Sequence, residues 1–354
     1  DHPDSVEIYL DERFTPPPTP PLKIYQIGKN QKRFPLAATD DQGTNLLPLL
    51  RYKDDVYVAN FKPGPYQGLT EMHDLILDLG DLSGASRILL FLQGWLFPTD
   101  ASINVALAQN KRLHVIPPYL QVPDKQGTWR TVLDNMSFPM GKNKTMVVDL
   151  TDKFLTQDYR VRIRTNMQIY WDHIFFTASE SNAPVEMTTL SPAKADLHYR
   201  GFSRLYRKGG RYGPHWFDYN DVTTRPQWRD LIGNYTRYGD VTPLLLDSDD
   251  MYVILNAGDE VSLEFDATEA PDLPEGWTRD FLIYSDGWIK DGDLNTAYGK
   301  TVEPLPFHGM SRYPYGPEEG YPQDEKHKKF VKKYLTRKVT TEQFRRFLSD
   351  YFNQ

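Results

Sequence analysis

"PLLRYKDDVYV", Pro48–Val58, returns as "PLLLDSDDMYV", Pro243–Val253, with seven of eleven positions shared and no gap. The chain downstream of each copy is also alike: a strand-like run, a loop of glycine, proline and acids, a second run, then Gly-Trp. Tyr57 to Trp95 spans 38 residues and Tyr252 to Trp288 spans 36, and an asparagine comes after each, Asn104 or Asn295. Near-equal spacing over so long a stretch is the mark of one architecture used twice. Gly94-Trp95 and Gly287-Trp288 therefore read as structural, with glycine freeing the backbone at a strand end and the indole filling a core. Trp95 and Trp288 are expected to be buried in equivalent places.

Outward from the repeat, short alternating runs recur about every ten residues between Gly, Pro, Asn and Asp, the pattern of half-buried strands. In the first half they are Leu22–Ile27, Val56–Val58, Asp74–Leu79, Arg87–Leu92, Tyr119–Val122, Trp129–Leu133, Thr145–Leu150, Tyr159–Arg164 and Ile169–Phe176. The pattern resumes in Asp196–Arg207, Met251–Leu255, Glu260–Phe265 and Asp280–Ser285. This predicts β-sandwiches of jelly-roll type. Residues 1–21 read as a proline-rich arm, 22–179 as a first sandwich, 180–195 as a linker and 196–324 as a second sandwich. From 325 to 354 the apolar spacing turns helical, with Phe330, Val331, Tyr334 and Leu335, then Phe344, Phe347, Leu348 and Phe352.

The 354 residues suit two domains, and 39% hydrophobic with 25% charged residues marks a folded chain. Without cysteine, disulfides, thiolate metal sites and a cysteine nucleophile are excluded. A net charge of −7 excludes a general polyanion binder, nucleic acid included. Residues 325–354 hold nine Lys/Arg against three acids, so the basic charge is concentrated there. No apolar run approaches the ~20 residues of a membrane-spanning helix. The opening Asp1-His2-Pro3-Asp4 reads as the interior of a processed or longer chain.

Two blocks carry a family resemblance, "TMVVDLT…YRVRIRTNMQIYWDHIFF" (Thr145–Phe176) and "RDFLIYSDGWIKDGDLNTAYGKTVEPLPFHGMSRYPY" (Arg279–Tyr315). They resemble the C-terminal region of bacterial secreted FG-GAP/ASPIC-UnbV repeat proteins, the cartilage acidic protein-like group. In that family a β-propeller and a short ASPIC/UnbV segment precede such a region. The resemblance implies export and a role at the cell exterior. The propeller's acidic calcium loops have no counterpart here, so their calcium binding does not carry over, and no catalytic residues come with the family. Tyr159–Phe176 also resembles the closing strands of galactose-binding-like sandwiches, a likeness of fold. The fold class expected is all-β, two related jelly-roll/galactose-binding-like β-sandwich domains with a short α-helical C-terminus.

The acidic loop Asp286, Asp291, Asp293 and Asn295 offers oxygen ligands at alternate positions, as a calcium site does. It lacks the sixth-place glycine and distal glutamate of a helix-loop-helix site, and its echo in "FPTDASIN" has one carboxylate. A turn in which the side chains bond their own backbone is therefore preferred to a calcium site. Arg211, Tyr212, His215, Trp216 and Tyr219 form a candidate platform for sugar rings or a protein contact. His308, in the long loop Val302–Pro322, is a further ligand-binding candidate that reads first as a structural histidine. Asp54-Asp55 and Asp249-Asp250 belong to the repeat and read as turn chemistry.

No nucleophile elbow or metalloprotease motif is present. The expected function is a non-catalytic extracytoplasmic binding or assembly module of a larger surface or periplasmic complex. Its partners are other protein subunits and carbohydrate, with no required cofactor. The alternative is an extracellular carbohydrate-active hydrolase using carboxylates in the 285–319 region. The proline arm, Glu12–Pro21, is expected to lie against another chain or another part of this one.

Overall fold

Successive residues of a strand face opposite sides, and in one sheet of this protein both sides are filled. A computed structural model describes residues 1–16, 20–139, 141, 143–179, 183–207, 213–225, 227 and 229–340. The chain divides into two units, the first made of Asp1–Thr99, Ala106–Met187 and Leu273–Asp280. The second holds Asp100–Val105, Thr188–Asp272 and the described residues from Phe281 on.

Eleven strands lead the chain. They begin with β1 (His2–Pro3), β2 (Val6–Leu10), β3 (Ile24–Gly28), β4 (Ala37–Thr39), β5 (Leu69–Asp78) and β6 (Leu89–Leu96). Helix α1 (Ala101–Gln109) comes next, then β7 (Tyr119–Pro123), β8 (Trp129–Leu133), β9 (Lys144–Asp149), β10 (Arg160–Met167) and β11 (Ile169–Thr177). Five strands form one antiparallel sheet in the order β4-β5-β10-β7-β8, and three form another, β11-β6-β9.

Leu75, Leu77, Val161 and Ile163 from the larger sheet share one core with Leu90, Leu92, Met146, Val148 and Ile174 from the smaller. The other face of the small sheet is not left to water. Leu89, Phe91, Val147 and Phe175 are covered by Tyr9, Tyr25 and Ile27 of the β2–β3 hairpin. Phe91 and Phe175 stack there with centroids 4.6 Å apart. That double cover explains why "IYWDHIFFT" is apolar on both faces and buried at all nine positions.

The second unit is built from smaller pieces. Strands β12 (Pro192–Tyr199), β13 (Phe202–Arg207), β14 (His215–Thr223), β15 (Gly233–Tyr235), β16 (Gly239–Asp240) and β17 (Asp259–Phe265) come first. β18 (Trp277–Thr278) returns to the first unit and pairs with β1. Helix α2 (Glu325–Tyr334) and β19 (Arg337–Val339) follow. The sheets are β16-β12-β17, the hairpin β13-β14 and the pair β15-β19. Ala195, Leu197, Val241 and Leu244 form a core closed by Phe330 and Tyr334 of α2. Asp324 caps α2, its side chain accepting from the backbone N–H of Lys326 and His327.

The fold class is thus all-β, with two helices among the described residues. No described helix is long and apolar enough to cross a membrane.

Several sequence expectations change. Residues 2–3 and 6–10, assigned to the arm, are strands on the first unit. Glu12 and Phe14 then donate backbone bonds to Thr145 and Phe138, and the Phe14 and Phe138 rings stack at 5.1 Å. Met251–Leu255 and Asp280–Ser285 are not strands. Met251, Val253 and Ile254 instead pack as loop residues on the second core, with Ile254 bonded both ways to Thr236. Of Val56–Val58 only Val58 bridges, to Trp171. The second helix predicted in the last fourteen residues lies outside the described residues.

The tryptophan equivalence also fails. Trp95 is 2% exposed on β6, whereas Trp288 is 48% exposed on no strand. Gly94 is required by close approach, since a Cβ there would stand 2.7 Å from the Trp171 ring. At Gly287 a Cβ would meet nothing within 4 Å. The indole of Trp288 rests on the Tyr313 ring, with centroids 5.2 Å apart.

Candidate functional site

The 11-residue repeat survives as a loop. A short 3-10 turn with proline near its start, Leu47–Leu49 or Thr242–Leu244, opens each copy. The first acid then accepts the N–H two residues on, Asp54 from Val56 at 3.1 Å and Asp249 from Met251 at 2.8 Å. The second acid takes a tyrosine hydroxyl two residues on, Asp55 from Tyr57 at 3.0 Å and Asp250 from Tyr252 at 3.2 Å. Local sequence sets all of this. What differs is the distant residue each loop receives.

In the first unit Asp55 receives Asn143, whose Nδ2 donates at 2.7 Å. Beside it Asp172, fully buried, accepts the N–H of Asp54 at 3.4 Å. Its Oδ2 has no partner among the described residues. Burial, reinforced by the charges of Asp55 and Asp54, pushes the Asp172 carboxyl up to about 6. Sealed from solvent, it cannot meet a substrate.

In the second unit the same loop receives His308. The His308 backbone N–H and its ring Nδ1 both lie 2.7 Å from Asp250 Oδ1. Its Nε2 lies 2.8 Å from Asp286 Oδ2, which also accepts from the Ser248 hydroxyl. The imidazole is therefore held between two carboxylates while half of the side chain faces water. Hydrogen bonds from Asp286 and then Asp250 raise the pKa of His308. Ser248 and His308 lower that of Asp286. Burial pulls Asp250 upward, but the His308 and Tyr252 hydrogen bonds outweigh it and the net shift is down.

The loop presenting His308 is fastened at several points. Val302 N–H bonds Ile232 O, and the Tyr313 and Tyr315 hydroxyls donate to Pro304 O at 2.9 Å and Leu305 O at 3.1 Å. Lys290 reaches Val302 O and Glu303 O and lies over the rings of Tyr298 and Tyr313. Trp288, two residues after Asp286, packs on Tyr313 with half its surface open. The region combines fixed hydrogen-bonding groups with an exposed indole.

Glycosidic cleavage needs one carboxyl held protonated near neutrality, and both carboxyls here are shifted down. The imidazole that would serve as base has each nitrogen committed to an acid. Ser248 donates to Asp286 rather than to His308, so it has no base of its own.

The structure separates the acids of the candidate calcium loop. Asp286 goes to His308. Asp291 and Asp293 accept the backbone N–H of Asp293 at 3.1 Å and of Asn295 at 2.7 Å. Ser102, from the echo segment, donates its hydroxyl to Asp293 at 2.8 Å and receives Asn295 Nδ2 at 2.8 Å. No group of three or more His, Asp or Glu among the described residues is placed to hold a metal.

The candidate aromatic platform is divided too. Arg211 and Tyr212 lie outside the described residues. His215 and Trp216 sit on β14, where Trp216 stacks on Tyr206 at 4.7 Å and His215 meets Phe217. Tyr219 donates to Glu260 at 2.9 Å under the Arg200 guanidinium, so it anchors the hairpin.

Sequence reading missed Asp250, Tyr252 and Ser248 as companions of His308, because the repeat made the acid pair look like turn chemistry alone. No fixed spacing in the sequence links them, since Asp250 and Asp286 lie 58 and 22 positions from His308. No family model, curated protein or solved structure matches the chain.

Proposed function

We propose that this protein is a non-catalytic binding and assembly module of a larger complex outside the cytoplasm, and that the His308 loop holds a carbohydrate. The observation that carries this is the half-open His308 fixed between Asp250 and Asp286, with the exposed Trp288 two residues along the chain from Asp286. Carboxylates held in fixed positions by the imidazole suit sugar hydroxyls, and an indole face suits the apolar side of a sugar ring. Two ionised carboxylates around one imidazolium leave the site net negative, which favours neutral over acidic sugars. The extracytoplasmic setting is supported by the likeness of Thr145–Phe176 and Arg279–Tyr315 to the C-terminal region of secreted FG-GAP/ASPIC-UnbV proteins.

The test is calorimetric titration of the full chain with neutral xylo-, cello-, manno- and galacto-oligosaccharides, followed by assay for new reducing ends. Binding that is lost in Trp288→Ala and in His308→Ala, without cleavage, is the expected result. Cleavage, or binding untouched by both substitutions, overturns the reading, as does the absence of binding across the panel.

A further inference from the structure

The His308 ring makes two demands that one proton cannot meet. Asp250 Oδ1 lies 2.7 Å from Nδ1, and Asp286 Oδ2 lies 2.8 Å from Nε2. A carboxylate accepts and does not donate, so each contact needs an N–H on the ring, and only the imidazolium carries both. In a neutral ring one nitrogen keeps a bare lone pair, which would face a carboxylate oxygen at hydrogen-bond distance and repel it. Removing a proton must therefore open one contact. The titratable groups facing the ring are Asp250, Asp286 and Tyr252. Both carboxyls are shifted down and stay ionised, while burial and Asp250 keep the Tyr252 hydroxyl protonated. Farther out, Lys326 pairs with Asp249 and His327 with Asp324, and the Tyr321 hydroxyl donates to the Asp250 carbonyl oxygen rather than its carboxylate.

The two contacts are not equally expendable. Asp250 Oδ1 also accepts the His308 backbone N–H at 2.7 Å and the Tyr252 hydroxyl at 3.2 Å, so it stays beside the ring in either protonation state. A neutral ring satisfies that oxygen by keeping its proton on Nδ1, which leaves Nε2 bare toward Asp286. Among the described residues the 281–287 stretch belongs to no strand or helix. Its hydrogen bonds run through the Asp286 carboxylate alone, to His308 and Ser248. Phe281, Ile283 and Tyr284 stand largely in water, so packing does little to hold the stretch once the ring lets go.

We propose that His308 is a pH-sensitive latch: the doubly protonated ring ties the 281–287 stretch to Asp250, and loss of one proton releases Asp286 while Asp250 is kept. Because the two carboxylates favour the charged ring, the latch is closed in and below the ordinary imidazole range and opens as pH rises through a value above it. Half of the His308 side chain is in water and Ser248 still donates to Asp286, so release is graded. The closed-to-open ratio should fall about two- to fivefold. The latch is read from the protein's own hydrogen bonds and tested without ligand, so it stands or falls separately from carbohydrate binding.

The chain has no cysteine, so a nitroxide on Tyr284→Cys, an exposed position two residues from Asp286, reports on this stretch alone. In the full chain, its electron paramagnetic resonance spectrum should change between about pH 6 and 9. The mobile-to-immobile ratio should rise about two- to fivefold, with the midpoint of the His308 ring. Asp286→Asn should abolish the response, since an amide can turn its oxygen to an N–H or its NH2 to a bare nitrogen. Ser248→Ala should enlarge it by removing the other hydrogen bond to Asp286. A nitroxide on Met187→Cys, exposed in the first unit, should not respond. A flat Tyr284→Cys spectrum across the range, or a response that survives Asp286→Asn, overturns the proposal.

Discussion

Asp54 donates its backbone N–H at 3.4 Å to Asp172, a carboxyl shut away from water whose Oδ2 has no partner among the described residues. Its pKa is raised from the usual aspartate value to about 6. A folded-state pKa above the unfolded one means that the native protein binds the proton more tightly. Stability from this group is therefore present at low pH and lost as pH climbs from about 4 through 6, then stays flat. The rise to that value is equivalent to about 3 kcal/mol between the two protonation states. Asp172→Asn should match the parent near pH 4 and exceed it by about 1–3 kcal/mol at pH 7 in urea unfolding. A variant less stable than the parent at pH 7 would show that the ionised form is held in a way the geometry does not reveal.

His308 loses stability in the same direction for the opposite reason, since here it is the charged form that the fold favours. Its pKa is raised by Asp286 and Asp250, so its stabilising contribution is complete below the ordinary imidazole value and disappears as pH rises through the folded one. The side chain is half in water, which keeps the effect small, below about 1 kcal/mol. NMR titration of its ring protons should give a midpoint above that of the unfolded chain, and Asp286→Asn should bring it down. A midpoint indifferent to Asp286→Asn would falsify the bridge.

The two tryptophans should answer oppositely to truncation. Trp95 packs with Phe97 and Tyr170 at centroid distances of 5.1 and 5.3 Å inside the first unit, so Trp95→Ala should cost about 3–5 kcal/mol. Trp288 rests on one ring at the surface, so Trp288→Ala should cost less than about 1 kcal/mol. Denaturant unfolding of both variants checks the contrast. Equal losses would mean that Trp288 is covered in solution.

Much of the first unit was legible because its strands obey alternation: Leu75, Leu77, Val161 and Ile163 are inward residues that the pattern alone selects. The repeat was legible as well, yet it specified a loop rather than a domain. A turn such as Asp249–Tyr252 is fixed by residues two apart. Whether "FLIYS" becomes a strand depends on neighbours far along the chain, and sequence spacing carries no record of them. The same holds for the site. His308 stood out as a residue, but its carboxylates lie 58 and 22 positions away. Ser102 and Asp293, read as echoes of one another, are hydrogen-bond partners instead.

That last pair yields a prediction about calcium. Asp293 Oδ1 takes the Asn295 N–H at 2.7 Å and the Ser102 hydroxyl at 2.8 Å, and Asp291 takes the Asp293 N–H and the Thr296 hydroxyl. Backbone and hydroxyl hydrogen bonds of this kind hold a carboxylate charged without a cation, as the lowered pKa of Asp293 reflects. A bound calcium would stabilise the fold in proportion to its occupancy, so chelator is the direct test. The melting temperature should be the same in calcium and in EDTA. Ser102→Ala and Asp293→Ala should each lower stability through lost hydrogen bonds, equally in both conditions. A rise in melting temperature on adding calcium, abolished by Asp293→Ala, would instead make this loop a metal site and the turn bonds its resting arrangement.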